Sequence, residues 1–203
     1  SRLLAMELVR SGFEVVLTRD DDRALALPQR SGIGNASGGG LFLSIHANSA
    51  TTPLAHGIET YWMDLASDEA AMRVAEQENR AAALAHDAGG ATDPFDALVA
   101  DLRQGAVALQ SRDLADAVHQ ELLGGLRGYY GAERIADRGV KTAPFWVLVD
   151  SEVPSILIEV GYLTHPKEEV LLRTRAWQAA VADGIAAGVA RYVAAVEASE
   201  AGP

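Results

Sequence analysis

No cysteine occurs in the 203-residue chain, which excludes disulfide scaffolds and cysteine-ligated zinc or iron–sulfur centres. Positive charge is also scarce. Lys and Arg number 17 against 28 Asp and Glu, a net charge of −11, whereas a nucleic-acid binder normally presents a basic face. That balance does not identify a substrate, because the potential inside a cleft can oppose the net charge. No apolar run approaches the length of a transmembrane helix. No signal peptide is present, and the chain opens at Ser1-Arg2-Leu3-Leu4 without an initiator Met, directly in an amphipathic pattern. It reads as a fragment whose natural N-terminus, with any export signal, has been lost. What is there, 49% hydrophobic and 22% charged, is an ordinary globular composition sufficient for one domain with a full core.

Apolar periodicity predicts an alternation of helices and strands. Leu4 and Leu8 mark a short helix, with Gly12 where a C-terminal cap belongs. Phe13 to Thr18 is a β-branched run and predicts a strand; Ala24 to Asn35 predicts a second helix. Leu41-Phe-Leu-Ser-Ile-His46 is a buried strand that delivers His46 to the rim of a sheet, and Gly57 to Met63 alternates as a further strand. Helices are predicted over Ser67 to Ala88, Asp93 to Leu109 and Ser111 to Leu126, and a glycine-rich loop over Gly124 to Gly139. Phe145 to Val149 and Pro154 to Val160 predict two strands, and helices follow from Pro166 and from Arg175 to Glu197. Strands alternating with helices imply an α/β fold with a mostly parallel central sheet flanked by helices, in a single domain.

Two residues carry chemistry by position. His46 terminates a buried strand, where a polar ring needs a partner. Glu159 lies among Ile156, Leu157, Ile158 and Val160, and a carboxylate there is costly unless paired, hydrogen-bonded or metal-bound. Burial raises its pKa towards the range of a general base at neutral pH; the plain alternative is an ion pair with Arg138 or Lys141. The remaining histidines, His56, His86, His119 and His165, read as surface or hydrogen-bonded groups. A zinc hydrolase needs three protein ligands, an open position for water and a base. One histidine and one glutamate alone leave that set incomplete.

Leu43-Ser-Ile-His46-Ala-Asn48, Gly57-Ile-Glu-Thr-Tyr61, Arg138-Gly-Val-Lys141 and Ile158-Glu159-Val-Gly-Tyr-Leu-Thr164 resemble blocks of the zinc-dependent N-acetylmuramoyl-L-alanine amidases of bacterial cell walls. Leu17-Thr-Arg19-Asp20 and Val147-Leu148 match in the same order, so the resemblance covers nearly the whole chain. It implies a phosphorylase/hydrolase-like fold, a Zn2+ cofactor, peptidoglycan as partner, and cleavage of the amide between N-acetylmuramic acid and L-alanine of the stem peptide. It also implies an exported protein, periplasmic or cell-wall associated. His46 matches the family's last zinc histidine and Glu159 its catalytic glutamate; Arg138, Lys141 and Asn48 are expected to contact substrate. The family's first strand and first metal-ligand loop, which supply a histidine and a glutamate ligand, have no counterpart here. The polypeptide is therefore expected to hold zinc weakly or not at all, and to be unstable with an open sheet edge.

The resemblance extends to residues 64–110. Division-associated members of the family carry a helical insert at this place, which in some blocks the zinc site until an activator protein displaces it. Arg73-Val-Ala-Glu-Gln-Glu-Asn79 looks like the segment preceding such inserts. Two competing readings stand beside the amidase: a catalytically inactive homologue that binds peptidoglycan or a division partner, and another metallohydrolase of the same fold, such as a zinc carboxypeptidase. The combined Ser-Ile-His-Ala-Asn and Glu-Val-Gly blocks speak against the latter.

Overall fold

The computed structural model describes residues 1–83, 105–149 and 151–202. In chain order the elements are α1 (Arg2–Arg10), α2 (Leu27–Ala36), β1 (Phe42–Asn48), β2 (Ile58–Trp62), α3 (Glu69–Ala83), α4 (Gly105–Tyr130) and a 3₁₀ turn (Ala132–Arg134). They continue as β3 (Asp137–Thr142), α5 (Trp146–Val149), β4 (Ser155–Tyr162), α6 (Pro166–Leu172) and α7 (Arg175–Glu200). The four strands form one sheet in the order β1-β4-β2-β3. β1 pairs with β4, and β2 with β3, in parallel; only β2 and β4 run antiparallel.

β4 is one of two interior strands, with β2, and all eight of its residues are buried. Successive side chains of a strand point to opposite faces, so an unbroken apolar run requires a layer on each side. Ile156, Ile158 and Val160 pack with Leu114, Val118 and Leu122 of α4 and with Trp177, Val181 and Ile185 of α7. Leu157 joins Phe42, Tyr61, Ala71, Ala75, Phe145 and Leu148 on the other face, under α2, α3 and α5. α4 and α7 approach so closely that a Cβ on Gly188 would lie 2.4 Å from the Val118 Cα. α7 has the length and apolarity to cross a membrane, but its inward face, from Trp177 to Tyr192, forms the core.

Four local expectations need correction. Phe13 to Thr18 keeps the half-buried alternation of a strand, but no described strand forms a ladder with it; the Phe13 N–H turns back to the Leu8 carbonyl at 3.0 Å. Phe145 to Val149 is not a strand. It coils into α5, with Leu148 N–H on Phe145 O at 2.9 Å, since a short apolar run fits either period. The helix expected to start at Ser111 is already formed at Gly105, where the described residues resume, and Ser111 sits inside it, its hydroxyl donating to Val107 O and accepting from Ser155 N. The loop expected over Gly124 to Gly139 is the end of α4, the 3₁₀ turn and the start of β3; burial of Leu122, Leu123 and Leu126 outweighs the poor helix propensity of Gly124, Gly125 and Gly128. The helix expected over Asp93 to Leu109 lies mostly outside the described residues, as do the end of the Ser67 to Ala88 helix and His86.

Candidate active site

The pairing of β1 with β4 sets His46 directly opposite Glu159. Both belong to the face covered by α2, α3 and α5, and the strand does not stop at His46 but continues through Ala47 to Asn48. A third group arrives from α3. Ala71, Ala75 and Asn79, spaced four residues apart, form the buried stripe of that helix. Asn79 pins it, its Nδ2 donating to Pro144 O and its Oδ1 accepting from Trp146 N, both at 2.9 Å. Glu78, beside that stripe, thereby reaches His46, with Oε2 2.7 Å from Nδ1.

His46, Glu78 and Glu159 offer ligand atoms that all lie within 4.8 Å of one another. The Glu159 carboxylate is completely buried, and neither oxygen has a hydrogen-bond partner among the described residues. Burial, and then the neighbouring Glu78 and Glu59 carboxylates, raise its pKa well above the usual carboxylate range. An imidazole and two carboxylates, one of them without compensation, form a donor set that fits a divalent cation such as zinc. Glu78 is a candidate ligand beside His46 that the sequence reading does not name. Among the several acids of an amphipathic, alanine-rich helix nothing local singles it out.

Arg138 and Lys141 do not pair with Glu159. They stand on β3, across β2, and serve Glu59 instead. Glu59 is also buried, but its carboxylate accepts from the Arg138 Nε, the Tyr61 hydroxyl and the Tyr162 hydroxyl (2.7 Å), with Lys141 Nζ at 3.8 Å. Burial raises its pKa, but these donors outweigh burial and hold it below the usual range. Asn48 is buried at the end of β1, where its Oδ1 accepts from Ser49 N and its backbone carbonyl from Leu163 N. Its Nδ2 has no partner among the described residues.

The other described histidines have structural partners. His119 is buried on α4 with Nε2 3.0 Å from Asp137 and Nδ1 3.0 Å from Thr60 Oγ1. A carboxylate only accepts, so Nε2 carries the proton donated to Asp137. His165 accepts from Glu168 N at the start of α6 and stacks on His56. Glu168 in turn clamps two backbone N–H groups, of Gly57 and Tyr162. Gly57 has φ +114°, and a Cβ there would meet the Ala136 carbonyl oxygen at 2.5 Å, so only glycine fits.

The profile of the N-acetylmuramoyl-L-alanine amidase family matches residues 1–191. The chain is 32% identical over 189 residues to the N-acetylmuramoyl-L-alanine amidase AmiC of Neisseria meningitidis, covering 92% of this chain and 44% of that protein. It is 32% identical over 184 residues to AmiA of Escherichia coli, covering 89% and 61%. It thus spans between about two fifths and three fifths of these relatives' length. Among solved structures, the amidase AmiC2 of Nostoc punctiforme superposes with a TM-score of 0.65 at 27% identity, over 95% of this chain and 79% of that one. The catalytic domain of the amidase CwlV from Bacillus (Paenibacillus) polymyxa gives 0.62 at 27%, over 94% and 80%. The α/β sheet with helices on both faces is the fold of these solved amidase structures. The chain belongs to the N-acetylmuramoyl-L-alanine amidase family.

Proposed function

We propose that the protein is a zinc-dependent peptidoglycan hydrolase, cleaving the amide between N-acetylmuramic acid and L-alanine of the stem peptide. The observation that carries this reading is the His46–Glu159 register pair: an imidazole beside a fully buried carboxylate that lacks any hydrogen-bond partner among the described residues. His46 and Glu78 would hold the ion, with Glu159 beside them. Bound there, zinc supplies a Lewis acid that polarises the scissile carbonyl and lowers the pKa of water to about 7. Glu159 accepts the proton of the attacking water and returns it to the leaving alanine nitrogen, a transfer favoured by its raised pKa. Arg138, Lys141 and Asn48 are the substrate-binding residues of this reading. The Arg138 guanidinium is anchored through Nε, and the muramyl peptide offers carboxylates and amides to its other N–H groups. Such a substrate lies outside the cytoplasmic membrane, so the reading carries export to the periplasm or cell wall.

The test is release of stem peptide from purified sacculi, with zinc content measured by elemental analysis on the same samples. Wild type is expected to hydrolyse and to retain zinc; Glu159→Gln should retain zinc without hydrolysing, and His46→Ala should lose both. Sacculi bound but left uncut by zinc-loaded wild type would favour the non-enzymatic homologue.

Residues 64–110 enter the same reading as a regulatory insert. The supporting observation is that α3, within that segment, brings Glu78 onto His46. If the segment restrains the site until an activator protein displaces it, deletion of residues 88–108, which leaves Glu78 in place, raises basal hydrolysis. Unchanged hydrolysis in the deletion would count against regulation.

A further inference from the structure

The candidate site opens at His46 and Glu78 into a cavity of about 180 Å³, whose far lining the chemistry above does not use. Arg19 and Arg30 line it together with His46 and Glu78, over a floor that includes Leu27 and Leu157. Both arginines are partly buried, and neither forms a salt bridge among the described residues, in a chain with 28 acids. Their stems are nevertheless fixed. Arg19 Nη1 donates to Arg23 O at 2.6 Å and Arg30 Nε to Leu25 O at 3.3 Å, both acceptors lying in the segment that leads into α2. Among the described residues those bonds leave the two Nη groups of Arg30 without a hydrogen-bond partner.

Two guanidinium groups on one cavity repel each other, and burial raises the cost. Burial and the Arg19 charge both act against the charged form of Arg30, while Glu78 acts for it. Guanidinium nonetheless stays protonated, so the cavity presents two positive charges against the one carboxylate in its lining, Glu78, which is engaged with His46. A planar fork with free Nη groups matches a carboxylate in bidentate geometry. The carboxylates of Glu78 and Glu159 nearby disfavour a dianion more than a monoanion, which argues for carboxylate over phosphate.

From this we infer that the cavity is a carboxylate subsite, in which Arg30 and Arg19 hold an acidic residue of the stem peptide while the neighbouring amide lies at His46 and Glu159. The inference rests on the amidase reading and deepens it, by making peptide charge a determinant of which substrate is accepted.

The test is calorimetric binding of N-acetylmuramoyl-L-alanyl-D-glutamic acid and of its diamide, which differ in charge and little in shape. Zinc-loaded Glu159→Gln protein is used so that neither ligand is cut. The acid is expected to bind about tenfold more tightly than the diamide, a difference expected for charge-assisted hydrogen bonds. Arg30→Met should bring the acid down to the level of the diamide, Arg19→Met should remove part of the preference, and Arg30→Lys should restore part of it. Equal affinities in the parent protein, no measurable binding of the acid, or a preference that survives in well-folded Arg30→Met would overturn the inference. If Arg30→Met does not melt cooperatively, Arg19→Met and Arg30→Lys carry the comparison. Cleavage is assayed separately in the protein that retains Glu159. A charge preference without cleavage leaves the subsite standing and sinks the amidase reading, and cleavage of both ligands without a preference does the reverse.

Discussion

Glu59 and Glu159 face each other across the antiparallel pairing of β2 and β4, and both are buried. Their surroundings differ in every other respect. Glu59 is held by two tyrosine hydroxyls, the Arg138 guanidinium and the Lys141 ammonium, which stabilise its charge against burial. Glu159 has the same burial without any of those donors, and its nearest charges, Glu78 and Glu59, are of its own sign. Burial alone therefore does not decide what a carboxylate does. The first is a fixed anion that ties β2, β3 and β4 together. The second is a group that gains by taking up a proton or facing a cation, which is the condition of a general base or a metal-site residue.

The comparison breaks most sharply on activity. Glu159→Gln keeps the shape of the side chain and removes its basicity, so hydrolysis is expected to fall by about 10²–10⁴-fold, the usual contribution of a general base. Its thermal midpoint should be unchanged or higher, because the substitution removes an uncompensated buried carboxylate. A variant that loses midpoint and activity together would mean that Glu159, like Glu59, is structural.

Glu59→Gln is expected to do the opposite. It leaves Arg138 without its carboxylate in a partly buried place, and Lys141 with Asp68 alone. Breaking a buried ion pair costs roughly 3–5 kcal/mol, and Arg138, whose side chain is 33% exposed, recovers some water, so about 2 kcal/mol is expected. Urea unfolding measures it. A loss below about 0.5 kcal/mol, the scale of an ordinary surface change, would show that the network is not holding the sheet.

How much of this was legible follows from the same pair. His46 and Glu159 stand out in the sequence because each interrupts a run of apolar residues that only a strand covered on both faces explains. Their mutual register does not, because it depends on which strands become neighbours. The role of Glu59 was hidden by the alternation of Gly57 to Met63, which suggests a polar edge where the structure has a buried network. Glu78 was hidden for another reason: on α3 it reads like Glu69 or Glu76, and only the packing of Ala71, Ala75 and Asn79 turns it towards His46. β3 was missed because Arg138, Gly139 and Lys141 lack an apolar pattern. Its order comes from pairing with β2 and from the charge of Glu59.

The smallest effect expected is on the acid limb of stability, and it separates the two glutamates without any substrate. The folded pKa of Glu59 is lowered from its ordinary 4.5. A lowered carboxylate contributes stability above the unfolded value, and that contribution is lost as pH falls through the folded one. Stability should therefore decline below about pH 4.5, and Glu59→Gln should flatten the part of the decline that belongs to this residue. Glu159 has its shift in the other direction, so below pH 4.5 it is mostly protonated whether the chain is folded or not. Glu159→Gln should leave the acid limb as steep as in wild type. Urea midpoints between pH 3 and 6 on the three metal-free proteins decide it, and an acid limb flattened by Glu159→Gln instead would reverse the assignment of fixed anion and proton acceptor.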